Sequence, residues 1–142
     1  MFFDPSVWGP HYWFFLHTVA ESYPDTPNAV AKRKYYDLIQ NMPLFIPIPE
    51  IGNKFSELLD KYPVSPYLDS RESFVKWMHF IHNKVNHHLG KLELSLPQAL
   101  EKYRDMYKPR PIYLVEQINM RKHYLHAIVI GLLLFAIYTW YN

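Results

Sequence analysis

The sequence of 142 residues contains no cysteine. Disulfide scaffolds, thiolate metal sites and cysteine nucleophiles are therefore excluded for this chain. Glycine is also scarce, with 4 residues against 12 prolines, and neither a glycine-rich phosphate loop nor a Gly-x-Ser-x-Gly nucleophile elbow is present. The formal net charge of +2 is small, and the run Lys-Arg-Lys at residues 32–34 is typical of an exposed helix face. No nucleic-acid partner is therefore expected.

The chain is rich in aromatic residues, with 12 Tyr, 9 Phe and 4 Trp. Because aromatic side chains bury a large area each, residues 1–107 are predicted to form one domain with its own core. Prolines at positions 43, 47 and 49 would interrupt any strand through residues 45–51, and no alternating apolar pattern is long enough for a sheet. The predicted fold class is all-α: a four-helix bundle with a short fifth helix, followed by a C-terminal transmembrane helix.

Proline positions predict the bounds of the first three helices. Pro10 suits a first helical position, and Pro24 ends the run that follows it. The second helix is predicted to have its cap at Thr26 and to end before Pro43. Pro49 opens the third helix, which carries an apolar stripe.

Capping signals and periodicity predict the fourth and fifth helices. Asp69 and Glu72 have the spacing of a capping box, and Gly90 is suited to end the fourth helix. A shorter fifth helix is predicted from Ser95 to Tyr107. The apolar face of the fourth helix consists of Phe74, Trp77, Met78, Ile81, Val85 and Leu89.

The C-terminal segment carries the longest apolar run. Between residues 125 and 141 only His126 can carry a charge, and these 17 residues reach the lower limit for crossing a bilayer. Aromatic residues lie at both ends of the run, and basic residues 121–123 precede it. A buried core helix is the alternative. The preferred interpretation is a membrane anchor at residues 124–142, a linker and juxtamembrane segment at residues 108–123, and a folded domain on the cytosolic side.

The fourth helix also carries the densest group of polar side chains. His79 and His82 are three residues apart, and His82 and Asn86 are four apart, so imidazole and amide groups share one face. Amides are poor ligands for transition metals and no acidic residue lies nearby, so no metal site is predicted. Trp13 and His17 repeat this chemistry on the first helix. Such groups together suit a planar heteroaromatic ligand.

Three segments resemble motifs of the Erv/Alr family of FAD-linked sulfhydryl oxidases. Residues 8–24, WGPHYWFFLHTVAESYP, resemble the opening motif W-G-x-x-x-W-x-x-L-H followed by Tyr-Pro. Residues 70–91, which contain SRESFVKW and HNKVNHHLGK, resemble the family helix with Ser-Arg, Trp and H-N-x-V-N-x-x-L-G-K. Residues 101–107, EKYRDMY, resemble the short closing helix, with Tyr103 where the family often has Trp.

This resemblance implies a FAD site in a bundle of four helices closed by a fifth, usually in a homodimer. By position, the first and fourth helices would line the cofactor and the fifth would close its adenine side. The implied cofactor-binding residues are Trp13, His17, Tyr23, His82, Asn83, Asn86, Lys91 and Tyr103.

The resemblance also implies where the redox centre of the family would lie. Family members carry Cys-Pro-x-Cys at the start of the third helix, where this chain has Ile48-Pro49-Glu50-Ile51. In the family this pair takes electrons from substrate dithiols, and the flavin passes them to oxygen. Isoleucine forms neither a thiolate nor a disulfide, so the chain is expected not to be an enzyme of this kind. FAD-dependent chemistry of another type stays open.

Three functions are compatible with these features. The first is a non-catalytic, membrane-anchored structural protein of a virion, because large DNA viruses encode oxidases of this family and hold membranes beneath their capsids. Such a minor capsid or inner-membrane component would contact the membrane, capsid or other virion proteins, and a second copy in a homodimer. The second is a flavoprotein with non-thiol redox chemistry, and the third is a regulatory partner of an active sulfhydryl oxidase.

Overall fold

The computed structural model of the chain describes residues 3–108 and 111–141, with side chains for all of these except 111–116. No strand occurs in these two ranges, so the predicted all-α class is confirmed. The chain divides into two compact units, Met1–Arg104 and Asp105–Asn142. The helices are α1 Pro5–Glu21, α2 Ala29–Asn41, α3 Pro49–Lys61, α4 Arg71–His88, α5 Leu96–Asp105 and α6 Pro111–Tyr141, with short 3-10 helices at Met42–Phe45 and Ser65–Tyr67.

Helix α1 begins at Pro5 rather than at the predicted Pro10. The Asp4 carboxylate accepts a hydrogen bond from the Ser6 N–H at 2.8 Å, which caps the helix. Hydrogen bonds from the side chain and then the backbone of Ser6 lower the pKa of that carboxyl group. Pro5 then occupies the first helical position, where its missing N–H has no cost. Pro10 lies inside the helix as a result, and the prediction for the start of this helix was wrong.

Two other caps also differ from the sequence prediction. Asn28 caps α2 in place of Thr26, because its side-chain oxygen accepts the N–H three residues further on at 2.8 Å. Ser70 caps α4 in the same way at 3.2 Å, in place of Asp69. The carboxylate of Asp69 instead forms an ion pair with Lys32. Adjacent polar residues compete for each cap, and tertiary contacts decide between them.

The core of the first unit lies between α1, α2, α3 and α4. The predicted apolar face of α4 is buried from Phe74 to Ile81, and Val85 packs against its edge. Leu89 is 59% exposed because α4 ends at His88. The largest fully buried side chains of the unit are Tyr23, Ile39, Leu59, Val64, Phe74, Met78 and Ile81.

Helix α3 lies very close to the 3-10 helix that precedes it. Gly52 is buried, and a Cβ atom at this position would lie 2.6 Å from the backbone oxygen of Pro43. The Tyr12 hydroxyl donates a 2.8 Å hydrogen bond to the carbonyl of Phe45 and ties the same 3-10 helix to α1. These contacts fix the position of the first turn of α3.

Helix α6 forms the C-terminal unit. It is continuous from Pro111 to Tyr141, so residues 111–123 are helical. Residues Gln117–Tyr141 are long and apolar enough to cross a membrane, and none of this stretch is buried within the protein. The predicted breaker segment 108–111 and the predicted anchor 124–142 each extend over residues outside the described ranges, namely 109, 110 and 142. The domain boundaries at residues 107 and 123 stay predictions.

Candidate functional site

Two isoleucines, Ile48 and Ile51, lie at the start of α3. Ile48 has an extended backbone, and its carbonyl accepts the N–H groups of Ile51 and Gly52, both at 3.0 Å. Ile48 and Ile51 are both half-buried. One turn further along, the ring of Phe55 is 8% exposed and meets Trp13 edge-on, with ring centroids 6.2 Å apart. Apolar contacts therefore connect the α3 turn to α1.

Trp13 and two histidines form a compact cluster between α1 and α4. The rings of Trp13 and His82 are stacked, with centroids 3.9 Å apart and planes 8° from parallel. His17 Nε2 and His82 Nδ1 lie 2.9 Å apart, so one imidazole donates a hydrogen bond and the other accepts it. This arrangement requires that each ring keeps a defined tautomer.

Burial holds both histidines in their neutral form. Desolvation lowers the pKa of His17 to about 4, and the nearby His79 adds to the effect. Desolvation lowers the pKa of His82 to about 3, with further contributions from His17, His79, Lys102 and Lys91. At neutral pH the cluster therefore offers hydrogen-bonding imidazoles rather than positive charge.

Tyr103 brings α5 against this cluster. Its hydroxyl lies 3.0 Å from Thr18 Oγ1, and its ring lies 5.5 Å from that of Phe14. The Thr18 hydroxyl donates its proton to the Phe14 carbonyl at 2.9 Å, so Tyr103 is the donor to Thr18. His17 completes the contact, with its ring centroid 6.3 Å from that of Tyr103. Trp13, His17, His82 and Tyr103 are called the aromatic site below.

Asn83 lies outside the aromatic site and binds the chain that follows α4. Its amide donates to the Leu94 carbonyl at 2.8 Å and accepts the Leu94 N–H at 3.3 Å. The amide nitrogen also lies 3.2 Å from His79 Nε2. These contacts use both polar atoms of the side chain within the protein.

Asn86 and Lys91 lie at the C-terminal end of α4. The backbone carbonyl of Asn86 accepts the N–H of Lys91 at 2.9 Å, in the turn that ends the helix. The side chain of Asn86 is half-buried and that of Lys91 is exposed. The charges of Lys91 and Lys102 both reach His82, since both lower its pKa. Both charges therefore act on the aromatic site through space.

Tyr23 is fully buried in the core and is not brought together with the aromatic site. Its exposed fraction is 0%, and its hydroxyl donates to the Leu68 carbonyl at 2.8 Å. Its ring packs edge-on against Tyr35 and Phe74. In this structure the side chain serves the packing of the bundle.

The structure thus joins four of the eight residues that the resemblance implies. It adds Phe14 and Thr18, which the sequence analysis missed. The sequence does contain a signal for them. Phe14 and Thr18 are four residues apart, so they share a helix face, and they directly follow Trp13 and His17. Only the contact with α5 shows that this second helix face belongs to the site.

Comparisons with known proteins agree with this architecture. The Erv1/Alr family profile matches residues 10–104. A protein of Acanthamoeba polyphaga mimivirus named probable FAD-linked sulfhydryl oxidase is 35% identical over 108 residues, which cover 75% of this chain and 76% of the relative. The FAD-linked sulfhydryl oxidase of African swine fever virus is 28% identical over 109 residues, covering 77% and 87%.

Solved structures show the same fold. The FAD-binding domain of Erv1 from Saccharomyces cerevisiae superposes with a TM-score of 0.67 at 26% sequence identity, covering 75% of this chain and all of that domain (100%). The yeast Erv1 core gives a TM-score of 0.66 at 26% identity, covering 76% and 90%. The family match spans α1 to α5, including the α3 turn and the aromatic site. The chain therefore belongs to the Erv1/Alr family.

Proposed function

We propose that the chain is a non-catalytic, membrane-anchored member of its family with a structural role in a virion. The observation that carries this proposal is the first turn of α3, where half-buried Ile48 and Ile51 stand in a chain without cysteine. A dithiol oxidase needs a thiolate nucleophile and a disulfide that can be reduced and reformed. Neither can be made from any residue of this sequence.

The C-terminal helix supports the anchoring part of the proposal. Gln117–Tyr141 contains 25 residues and no charged residue follows Lys122 within it. Its length of about 37 Å at 1.5 Å per residue exceeds a hydrocarbon core of about 30 Å. Arg121 and Lys122 at its N-terminal end favour a cytosolic position for the folded domain.

The viral relatives support the virion part of the proposal. The proposed location is the inner membrane beneath the capsid, with capsid or other virion proteins and a second copy of the chain as partners. Immunodetection in gradient-purified particles, before and after carbonate extraction, tests this location. We expect the protein in the carbonate-resistant fraction, and its absence from purified particles would contradict the virion role.

Oxygen uptake by the wild-type chain and disulfide formation in a variant with two cysteines test the non-catalytic assignment. We expect no dithiothreitol-dependent oxygen uptake from the wild-type chain with added FAD, since it has no sulfur nucleophile. The variant Ile48→Cys with Ile51→Cys should form an intramolecular disulfide under oxidising conditions, because the extended backbone at residue 48 and the helical turn after it bring the two positions together.

A matched control is Glu50→Cys with Asn53→Cys, which has the same spacing on exposed positions of the same helix. Both positions lie within the regular helix, so we expect much less disulfide there, measured by thiol titration. Dithiol-dependent oxygen uptake by the wild-type chain would contradict the proposal. Equal disulfide formation in the two pairs would contradict the assignment of the α3 turn.

FAD binding without thiol chemistry is a second candidate, favoured by the aromatic site. Trp13, His82 and His17 carry rings that can stack on a planar heterocycle or bond to it, and Thr18 and Tyr103 carry hydroxyls that can donate and accept. In this structure these groups contact one another, so a ligand would replace their mutual contacts. Lys91 and Lys102, whose charges act on His82, are cations of the kind that bind a diphosphate. FAD would supply a two-electron redox centre when bound.

Trp13→Ala tests the FAD candidate. We expect detergent-purified wild-type protein to release flavin fluorescence on denaturation after incubation with FAD. The affinity of the Trp13→Ala variant should be about tenfold lower or weaker still, because a stacked base contributes about 1–3 kcal/mol. Trp8→Ala, on the same helix but against Tyr12, is the control and should bind as wild type does. Protein that is colourless and releases no flavin after this incubation would remove the candidate.

A further inference from the structure

The segment that follows α4 is held to the domain by few buried contacts. Within the described part of the first unit, α1 to α4 each contain fully buried side chains, whereas α5 contains none. The inward face of α5 consists of Leu96, Leu100 and Tyr103, all half-buried. A segment with little buried apolar area opens at a lower free energy than the domain needs to unfold.

Asn83 closes the near end of this segment. Its side chain forms two hydrogen bonds with the backbone of Leu94. Its amide nitrogen also lies 3.2 Å from His79 Nε2. His87 adds an exposed contact with Glu93 at 2.9 Å. The two Asn83–Leu94 bonds are the part-buried ones, so they contribute most to holding residues 91–95.

The turn before these residues provides a fixed pivot. Gly90 has a positive φ of 62°, and its N–H donates to the His87 carbonyl at 3.1 Å. The N–H of Lys91 donates to the Asn86 carbonyl at 2.9 Å, which completes a glycine helix stop. Leu92, directly after this turn, is 80% exposed and adds no packing. Motion of the segment would therefore begin after Lys91.

We propose that residues 92–104 form a lid on the aromatic site. The two Asn83–Leu94 hydrogen bonds hold it shut at one end, and the Tyr103–Thr18 hydrogen bond holds it shut at the other. Opening moves Tyr103 away from Thr18 and His17 and exposes the site to a planar ligand. Asn83 is then a positioning residue that controls access and does not touch the ligand. The role of the lid in controlling ligand access rests on the proposed FAD binding. The opening motion of the lid does not depend on that proposal.

Hydrogen exchange on the detergent-solubilised full chain tests the opening. We expect α5 amides to exchange faster than the buried part of α4 in the wild type. Asn83→Ala should accelerate α5 exchange about tenfold, since it removes two hydrogen bonds, and should leave α4 exchange unchanged. Tyr103→Phe, at the other end, should accelerate it by a smaller factor. Asn53→Ala, at an exposed position of α3, is the control and should change neither rate.

Thiol labelling tests whether the opening gates the site. Because the chain has no cysteine, His17→Cys introduces a single thiol behind Tyr103. We expect its reaction with N-ethylmaleimide to accelerate about tenfold when Asn83→Ala is added. A thiol introduced by Ser56→Cys, at an exposed position, should react at one rate in both backgrounds.

Two results would overturn the lid. In the first, α5 and the buried part of α4 exchange at one common rate that Asn83→Ala changes equally, which means that α5 opens only with the whole domain. In the second, α5 exchange accelerates but labelling at position 17 does not, which means that the opening does not expose the site. Neither readout uses FAD, so a failure to bind FAD would contradict the cofactor candidate and not the opening.

Discussion

Gly52→Ala is expected to lower the free energy of unfolding by about 2 kcal/mol. The added Cβ would lie 2.6 Å from the Pro43 carbonyl oxygen, which is a backbone atom and cannot turn away as a side chain can. Forcing α3 away from the preceding 3-10 helix costs about 3 kcal/mol, at the upper end for overpacking. The better helix propensity of alanine returns about 1 kcal/mol of this. Urea denaturation of the full chain in detergent, followed by tryptophan fluorescence, measures the difference.

Gly9→Ala is the matched control for this substitution. Gly9 also lies inside a helix, and apart from its chain neighbours nothing is within 4 Å of the Cβ that alanine would add. Because Pro10 follows and disfavours a helical residue with a Cβ before it, the gain in helix propensity is offset, and the same change should alter the stability by less than about 1 kcal/mol. Equal effects at the two positions would show that helix propensity, and not the approach to Pro43, decides the result. In that case α3 would not lie as close to the Pro43 carbonyl as the structure places it, and this contact would not position Ile48 and Ile51.

Most of the fold could be predicted because apolar spacing and proline positions are local signals. The stripes of α3 and α4 and the glycine stop at Gly90 follow directly from the spacing of residues. Helix starts were less predictable, since Asp4, Asn28 and Ser70 compete with equally plausible neighbours. The 3-10 helix at Met42–Phe45 has no comparable local signal.

The aromatic site could be predicted only in part, because sequence spacing shows which residues share a face but not what covers that face. Trp13 and His17 contact His82 in the structure, although their positions are far apart in the chain. Tyr23 and Asn83 also carry an aromatic ring and an amide, but these groups form their contacts within the protein. The Tyr23 hydroxyl bonds the Leu68 carbonyl in the core, and the Asn83 amide bonds the Leu94 carbonyl. A polar or aromatic side chain satisfied inside the protein looks identical in sequence to one that binds a ligand.

Acidification from pH 7 to pH 5 is expected to lower the free energy of unfolding of the ligand-free chain by about 2–3 kcal/mol. The pKa values of His17 and His82 fall to about 4 and about 3, so both stay neutral when folded throughout this interval. In the unfolded chain they take up protons below about 6.5, which favours unfolding as the pH falls. Each contributes at most about 2 kcal/mol at pH 5, and partial solvent exposure of the pair reduces the sum.

The loss should be present only below pH 6.5 and should level off as the pH approaches the folded pKa values. The pKa values of Asp4 and Glu72 are lowered by hydrogen bonds from Ser6 and Lys76, so the stability that these two carboxylates contribute is lost mainly below their ordinary pKa values of 3.8 and 4.5. Urea denaturation at several pH values measures the slope. Replacing both His17 and His82 with Gln should flatten it, whereas the exposed control His88→Gln should keep it. If the double replacement keeps the wild-type slope, burial does not hold His17 and His82 neutral in the folded chain, and the acid sensitivity arises elsewhere in the bundle.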